Sequence, residues 1–229
     1  MMNTRHLLVV GGLFALVGLL GRPALADTVT NGSFGTGDLT GWTVFTTSNG
    51  TNGTGLPDVV SFNTTGSGAS NSAQFDVGEV SPDGTPQGGG LSQTITAPVS
   101  GLYTLTEAFA SQDDASGMIN IDAGTFSIII DGTTVATESL GGFSTPLQIL
   151  MGSFNATVDL TAGSNTIETQ ITRDFTSIGT DTPDEYITNI SLTPVATPEP
   201  SSLLLLSTGL LVLLALALRS KRLTLSASC

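Results

Sequence analysis

The sequence predicts an all-β fold, an antiparallel β-sandwich of two sheets. Between residues 27 and 194, short alternating apolar and polar runs are separated by turn residues, and no stretch keeps a helical period. From Leu102 to Phe109 one phase of the alternation is apolar and the other mixed, as in a strand with one buried face. The predicted strands are residues 42–47, 59–62, 73–76, 91–95, 102–109, 125–130, 134–139, 148–154, 157–160, 165–172 and 186–192.

Two short connections predict hairpins. Asp131 and Gly132 stand between two apolar runs, and this dipeptide accepts the positive φ angles of a type I′ turn. The tripeptide 162–164 separates two further alternating runs in a similar way. We therefore expect each turn to join neighbouring antiparallel strands.

The first 26 residues have the pattern of a secretory signal peptide. Arg5 and His6 precede an apolar run from Leu7 to Leu20, and the small-residue sequence of residues 24–26 suits signal peptidase. Asp27 is then the first residue of the mature protein. Near the other end, residues 203–218 are mainly apolar and are followed by the basic cluster 219–222, which predicts a transmembrane helix with its basic end in the cytoplasm.

The residues before that helix carry a more specific signal, Pro198, Glu199, Pro200, Ser201 and Ser202. The motif, apolar segment and basic cluster, in this order, resemble the PEP-CTERM sorting signal. The resemblance implies processing near the motif by an exosortase, transient anchoring in the inner membrane, and a final place at the cell surface or outside the cell. Residues 223–229 extend beyond the usual end of such signals. The predicted domains are thus 1–26, 27–194 and 195–229.

Charge and composition exclude several functions for the region between the two signals. All nineteen acidic residues lie between Asp27 and Glu199, where Arg173 is the only base, so the formal charge is 1 minus 19, or −18. Such a surface repels nucleic acid. The same region has no Cys, His or Lys, which removes thiol, imidazole and Schiff-base catalysis, zinc or copper ligation by these residues, and disulfides.

Blocks across the mature region resemble galactose-binding-like and carbohydrate-binding-module jelly rolls. They are residues 31–42, 91–95, 101–105 and 186–192. The resemblance implies a jelly roll that binds sugars or serves as a surface module, often with a structural calcium ion between its first and last strands. Gly35 and Thr188 replace two carboxylates typical of that site. We therefore expect no firm cofactor, and only a weak calcium site formed by Asn31, Asp38, Asn189 and backbone carbonyls.

Individual residues receive mainly structural interpretations. Trp42, Tyr103 and Tyr186 are expected to support the sandwich, and Arg173 is expected to pair with Asp174 or Glu168. Residues 49–90 contain long turn-rich loops. These loops are expected to form either passive surface or a binding surface. Two acidic groups are expected to be solvated surface, with calcium ligation as the alternative. They are Asp113, Asp114 and Asp122, and Asp181, Asp184 and Glu185.

These observations favour a non-catalytic exported surface or matrix protein, associated with exopolysaccharide, biofilm or the envelope. A glycan-binding module is the second hypothesis, and solvent-facing aromatic side chains would distinguish it. A glycoside hydrolase that uses carboxylates alone is the third, and it needs a cleft with two acids in catalytic reach. The partners expected are signal peptidase, an exosortase and polysaccharide.

Overall fold

The computed structural model describes residues 27–114, 119–175, 182–195 and 206–214. The chain divides into two compact units, Met1–Val195 and Ala196–Cys229. The predicted signal peptide and the motif 198–202 lie outside the described residues. Of the second unit, residues 206–214 are described and form a helix. Within the described part of the chain, no helix has both the length and the apolar character needed to cross a membrane.

The described part of the first unit contains twelve strands. Its two large sheets have the orders β1-β6-β11-β8-β9, called the first sheet, and β10-β7-β12-β4-β3, called the second sheet, and β2 pairs with β5 in a small third sheet. All these pairs are antiparallel. The strands are β1 Thr43–Thr46, β2 Gly50–Thr51, β3 Asp58–Phe62, β4 Ser70–Phe75, β5 Gly78–Glu79, β6 Gln87–Ala97, β7 Gly101–Gln112, β8 Thr125–Ile130, β9 Thr133–Ser139, β10 Ile149–Leu160, β11 Gly163–Arg173 and β12 Asp184–Pro194.

The core lies between the two large sheets and follows the alternation in the sequence. In β7, Tyr103, Leu105 and Phe109 are fully buried, whereas Leu102 on the opposite face is exposed. The Phe109 ring contacts Phe126 of the first sheet at a centroid distance of 4.5 Å. The predicted all-β antiparallel sandwich is therefore confirmed. Every described strand pair and the core cluster lie within residues 27–195.

One of the two predicted hairpins is confirmed and the other is wrong. Asp131 and Gly132 have φ angles of 50° and 77° and join β8 to its neighbour β9. By contrast, β10 pairs with β7 while β11 pairs with β6 and β8, so residues 161–162 carry the chain from one sheet to the other. A strand that continues in the opposite sheet shows the same alternation as a strand that pairs in a hairpin. The turn residues alone therefore do not distinguish a hairpin from a connection between the two sheets.

The turn-rich region 49–90 is more ordered than a set of loops. The strands β2 and β5 lie within it, and the Asn52 side chain is buried, with its amide nitrogen donating to Phe45 O at 2.9 Å. A Cβ atom at Gly89 would collide with the Asn52 amide, so glycine is needed for this close approach. Asn49 Nδ2 donates to Ser81 O, which links the segment before β2 to the segment after β5.

Candidate functional site

A pocket of about 400 Å³ lies where residues 27–33 meet β12, at the position of the predicted calcium site. Asn31 and Asn189 both line it and have left-handed φ angles of 54° and 56°. The pairing of β12 with β7 shifts register between Thr188 and Ser191, which exposes Asn189 at an irregularity in a central strand. The other lining residues are Asp27, Val29, Gly32, Ser33, Thr106, Ile190 and Ser191.

The amide of Asn31 is used within its own segment. Its Nδ2 donates to the carbonyls of Asp38 and Thr40 at 3.0 and 3.1 Å, and its Oδ1 accepts from Thr36 N. The Asp38 carboxylate accepts from Thr36 Oγ1 at 2.6 Å and from Thr40 N at 3.0 Å, and these hydrogen bonds lower the pKa of Asp38. The structure therefore brings Asn31 and Asn189 together at the pocket, whereas Asp38 is not among its lining residues.

Hydrogen bonds join the elements around Thr188. The Thr188 hydroxyl donates to Asn71 O at 2.7 Å, and Asn71 Nδ2 donates to Phe34 O at 2.8 Å. These bonds link β12 to β4, and β4 to the segment that precedes β1. Among the described residues, no group of three or more acidic, His or Cys side chains is placed to hold a metal ion. The weak calcium site therefore stays a prediction.

A second polar cluster surrounds Arg173, which is 1% exposed at the end of β11. Its Nε lies 3.7 Å from Glu185 Oε1 and donates to Asp122 O at 3.0 Å. Its two terminal nitrogens donate to Val77 O at 3.2 Å and to Asn120 Oδ1 at 3.4 Å. The guanidinium therefore ties four segments of the chain together inside the sandwich.

The predicted partners of Arg173 were wrong. Glu168 lies on β11 in the phase opposite to Arg173, and Asp174 follows the strand at an exposed position, so neither reaches the buried guanidinium. Glu185 does, because β12 turns it into the core. Burial raises the pKa of Glu185 well above its usual value, and the positive charge of Arg173 opposes that rise. Sequence spacing favoured local partners, whereas the actual partner comes from another strand.

The expectation of a solvated acidic surface is also wrong at two positions. Glu185 is fully buried and Asp113 is 1% exposed. Asp113 Oδ1 accepts from the backbone N and Nδ2 of Asn120 at 3.3 and 2.9 Å. Asp122 and Asp184 are only partly covered, and Asp181 lies outside the described residues.

Sequence reasoning missed a buried carboxyl in the middle of the core. Glu107 is 2% exposed on β7, in the same phase as Leu105 and Phe109. Neither of its carboxyl oxygens has a hydrogen-bond partner, and the buried Thr169 hydroxyl of the opposite sheet also lacks one. Burial raises the pKa of Glu107 to about 8. Its place in the apolar phase of the strand was the signal that could have revealed it.

The predicted structural roles of Trp42 and Tyr103 are confirmed. Trp42 is 8% exposed, contacts the Phe34 ring and donates from Nε1 to Asn31 O at 3.2 Å. Tyr103 is fully buried, and its hydroxyl donates to Val99 O at 2.8 Å. Neither ring is presented to solvent, so neither forms a sugar-stacking surface.

Tyr186 has a different setting, on the outer face of the second sheet. Its neighbours Glu185 and Ile187 face the core, so Tyr186 points away from it, but Tyr186 is only 4% exposed and stacks on Phe62 with ring centroids 3.6 Å apart. Its predicted structural role is therefore confirmed too. Phe62 is half-buried. Asp184 accepts from Gln74 Nε2 at 2.8 Å and from the Tyr186 hydroxyl at 3.4 Å, and burial and this carboxylate raise the pKa of Tyr186. A fixed aromatic pair with adjacent polar groups results.

Comparison with known proteins assigns the C-terminal segment. Residues 196–222 match the PEP-CTERM protein-sorting motif. The match includes Pro198, Glu199, Pro200 and Ser201, the residues that carry the resemblance, together with the apolar segment and the basic cluster. The PEP-CTERM motif indicates a protein that is exported and sorted to the cell surface. No curated protein sequence matches the chain.

Solved structures similar to the chain include carbohydrate-binding modules. TmCBM61, in complex with β-1,4-galactotriose, is 15% identical with a TM-score of 0.41, covering 73% of this chain and 97% of that one. The Lys-gingipain K3 adhesin domain from Porphyromonas gingivalis is 17% identical, with a TM-score of 0.43 and coverage of 74% and 100%. The Podospora anserina GH26-CBM35 β-(1,4)-mannanase is 20% identical, with a TM-score of 0.35 over 70% of this chain and 29% of that chain. Similarities at this level assign neither a ligand nor an activity.

Proposed function

We propose that this chain is a non-catalytic, exported surface or extracellular-matrix protein that an exosortase processes. The observation that carries the proposal is the PEP-CTERM match directly after a sandwich that has its own core cluster. Signal peptidase removes the N-terminal signal peptide, and the exosortase cuts near the C-terminal motif. Between these steps, the apolar segment 203–218 holds the protein in the inner membrane.

Mass spectrometry of the native surface or secreted protein tests this proposal. We expect a first residue at or next to Asp27 and a last residue within 198–200, because both signals are removed. A matched variant with Pro198, Glu199 and Pro200 changed to alanine should keep its C-terminal segment and stay in the membrane fraction. Recovery of intact residues 203–218 in the native surface fraction contradicts the proposal.

The extracellular partner proposed is a neutral polysaccharide of the biofilm or envelope. The charge of −18 over residues 27–199 repels anionic polymers, whereas neutral sugars carry no such penalty. A glycan-binding module is the second candidate function, and the partly exposed ring of Phe62, held by its stacking on the buried Tyr186, favours it. Aromatic faces bind the apolar faces of sugar rings, and Asp184 and Gln74 beside the pair supply hydrogen-bonding groups.

A glycan array with residues 27–195, with and without calcium, tests this second candidate. We expect a neutral glycan to bind and Phe62→Ala to lower its affinity at least about tenfold, the loss of one stacking contact of about 1.4 kcal/mol. Phe175→Ala is the control, since Phe175 is 42% exposed but is not part of the stacked pair. Equal affinity of native protein and Phe62→Ala, with both folded, contradicts a site at this pair.

The third hypothesis, a carboxylate-only glycoside hydrolase, finds less support in the described pocket. Asp27 is the one acidic residue that lines it. Its Oδ1 already accepts from the backbone N of Val29 and Leu192 at 3.0 and 2.9 Å. Hydrolysis by paired carboxylates needs two of them on either side of the bond.

A further inference from the structure

The sorting motif follows the sandwich after very few residues. β12 ends at Pro194, and the backbone N of Val195 donates to Leu102 O at 2.8 Å, so residue 195 is still held against β7. The proposed cut within 198–200 lies three to five residues farther along the chain. Fully extended, five residues span at most about 18 Å. The bond to be cut therefore stays close to the end of the sandwich where β12 ends and β7 begins, which we call the exit end.

An enzyme that cuts this bond must also approach the exit end. A compact domain of 100 residues has a radius of gyration of about 13 Å, so even a small enzyme is wider than the available length of chain. The enzyme cannot enclose the bond in its active site without bringing its own surface against the sandwich. The short connection therefore makes the exit end part of the surface that the enzyme meets.

The exit end carries exposed apolar side chains. Val99, Leu102 and Val195 are 56%, 54% and 39% exposed. Hydrogen bonds hold their backbones together, because Val195 N donates to Leu102 O and the hydroxyl of Tyr103, the next residue, donates to Val99 O at 2.8 Å. Single exposed apolar residues are ordinary, but these three are grouped at the end that the enzyme must approach. The exit end therefore offers apolar area for a contact.

Acidic residues are concentrated at the opposite end of the sandwich, where β12 begins. Ten described acidic residues lie there, within the ranges 58–83, 113–122 and 174–185. Three lie towards the exit end, Asp27, Asp131 and Asp159. Anionic lipid at the membrane where processing takes place repels the acid-rich end more strongly than the exit end. Charge therefore favours approach of the exit end to an enzyme at that membrane.

We propose that the exit end is a docking surface for the exosortase, which packs against Val99, Leu102 and Val195 while it cuts within 198–200. The proposal rests on the exosortase processing proposed above and adds a contact that lies outside the sorting motif. The motif selects the chain, and the apolar contact holds the bond in the active site. Loss of the contact should therefore slow cutting without abolishing it.

Pulse–chase labelling of the full chain in its native cells tests the proposal, because it measures the rate at which the precursor loses its C-terminal segment. We expect Val99→Glu to slow this step at least about fivefold, since a charge placed against an apolar surface loses its hydration. Leu102→Ser should slow it in the same direction. Ile121→Glu is the matched control, because Ile121 is 74% exposed at the opposite end of the sandwich. Native rates for Val99→Glu and Leu102→Ser, or equal slowing by Ile121→Glu, overturn the proposal.

The sign of the added charge distinguishes the enzyme from the lipid surface as the occupant. An apolar contact with the exosortase is weakened by either charge, so Val99→Lys should also slow cutting. Anionic lipid attracts a lysine and repels a glutamate. Faster cutting of Val99→Lys together with slower cutting of Val99→Glu would assign the exit end to the membrane surface and overturn the proposal.

A spacer provides a second measurement, which separates the contact from any effect on folding. Ten glycine and serine residues inserted between Val195 and Ala196 add a flexible connection of about 18 Å on average. The enzyme can then reach the motif without touching the exit end. We expect Val99→Glu to be cut as fast as the otherwise native chain when both carry the spacer. Slowing that persists undiminished in the spacer chain overturns the proposal.

The motif variant, with Pro198, Glu199 and Pro200 changed to alanine, separates this proposal from the one on which it rests. If the motif variant loses its C-terminal segment at the native rate, exosortase processing is itself wrong and the docking surface falls with it. If the motif variant is blocked while Val99→Glu and Leu102→Ser are cut at the native rate, exosortase processing stands and the docking surface alone is overturned.

Discussion

At the scale of single residues, carboxyl groups that look alike in the sequence have very different surroundings. The Asp38 carboxylate lies at the surface and accepts hydrogen bonds from Thr36 and Thr40, which favour its charged form. Glu185 is buried beside Arg173, and Glu107 is buried without a charged partner. The same side-chain chemistry therefore favours the charged state in one place and the protonated state in another.

Glu107 should make stability depend on pH. Its pKa in the folded protein is about 8 against 4.5 when unfolded, so between these values the folded state holds one proton more. The contribution is complete below pH 4.5 and is lost as the pH rises towards 8, at about 1.4 kcal/mol per pH unit. We expect the neutral Glu107→Gln variant to gain stability relative to the native protein over this range, measured by urea unfolding from pH 5 to pH 8.

A comparison of the two pH profiles isolates Glu107 from the other carboxyl groups. Glu185 contributes to both profiles in the same direction, so the difference between native protein and Glu107→Gln removes its effect. Glu138→Gln is the matched control, because Glu138 is exposed on β9. Parallel profiles for native protein and Glu107→Gln would show that the carboxyl is hydrated or paired in solution.

At the scale of strands, the sequence predicted where the chain is extended better than how the strands pair. Residues 125–130 were predicted with the bounds that β8 has, and Asp131 with Gly132 fixed the following turn. The predicted segments 148–154 and 157–160 are one strand, β10, because Asn155 and Ala156 continue its alternation without a turn. Alternation depends on which face is buried, and this is the same whichever neighbour a strand has.

The candidate site was predicted only in part, because the alternation in the sequence does not show which strands are neighbours. Asn31 and Asn189 were expected near each other because first and last strands meet in the resembling fold, and both line the pocket. The contact of Phe62 with Tyr186 joins β3 to β12 across β4, and that of Arg173 with Glu185 joins the two sheets. Such contacts depend on strand order, which residue types and turn signals do not determine.

At the scale of the whole molecule, hydrogen bonds and the buried ion pair of Arg173 with Glu185 link the strands of the sandwich. The bonds from Thr188 to Asn71 O and from Asn71 to Phe34 O connect β12, β4 and the segment that precedes β1. Between residues 27 and 199 nineteen acids oppose one base. Divalent ions should therefore act on this protein mainly by screening that charge rather than by binding at one site.

The response to calcium tests this interpretation. An ion that binds only the folded state at a hundredfold excess over its Kd adds about 2.7 kcal/mol, which is about 5 to 11 °C in Tm for a domain of this size. Because Gly35 and Thr188 supply no carboxylate, we expect millimolar calcium to raise the Tm of residues 27–195 no more than magnesium does. In the double variant Gly35→Glu with Thr188→Asp, a calcium-specific rise should appear if the resembling fold's ion position is preserved, since a Cβ at Gly35 meets only Ser33 Oγ at 3.5 Å. A large calcium-specific shift in the native protein would contradict the prediction and show that backbone and amide oxygens around Asn31 and Asn189 suffice to bind the ion.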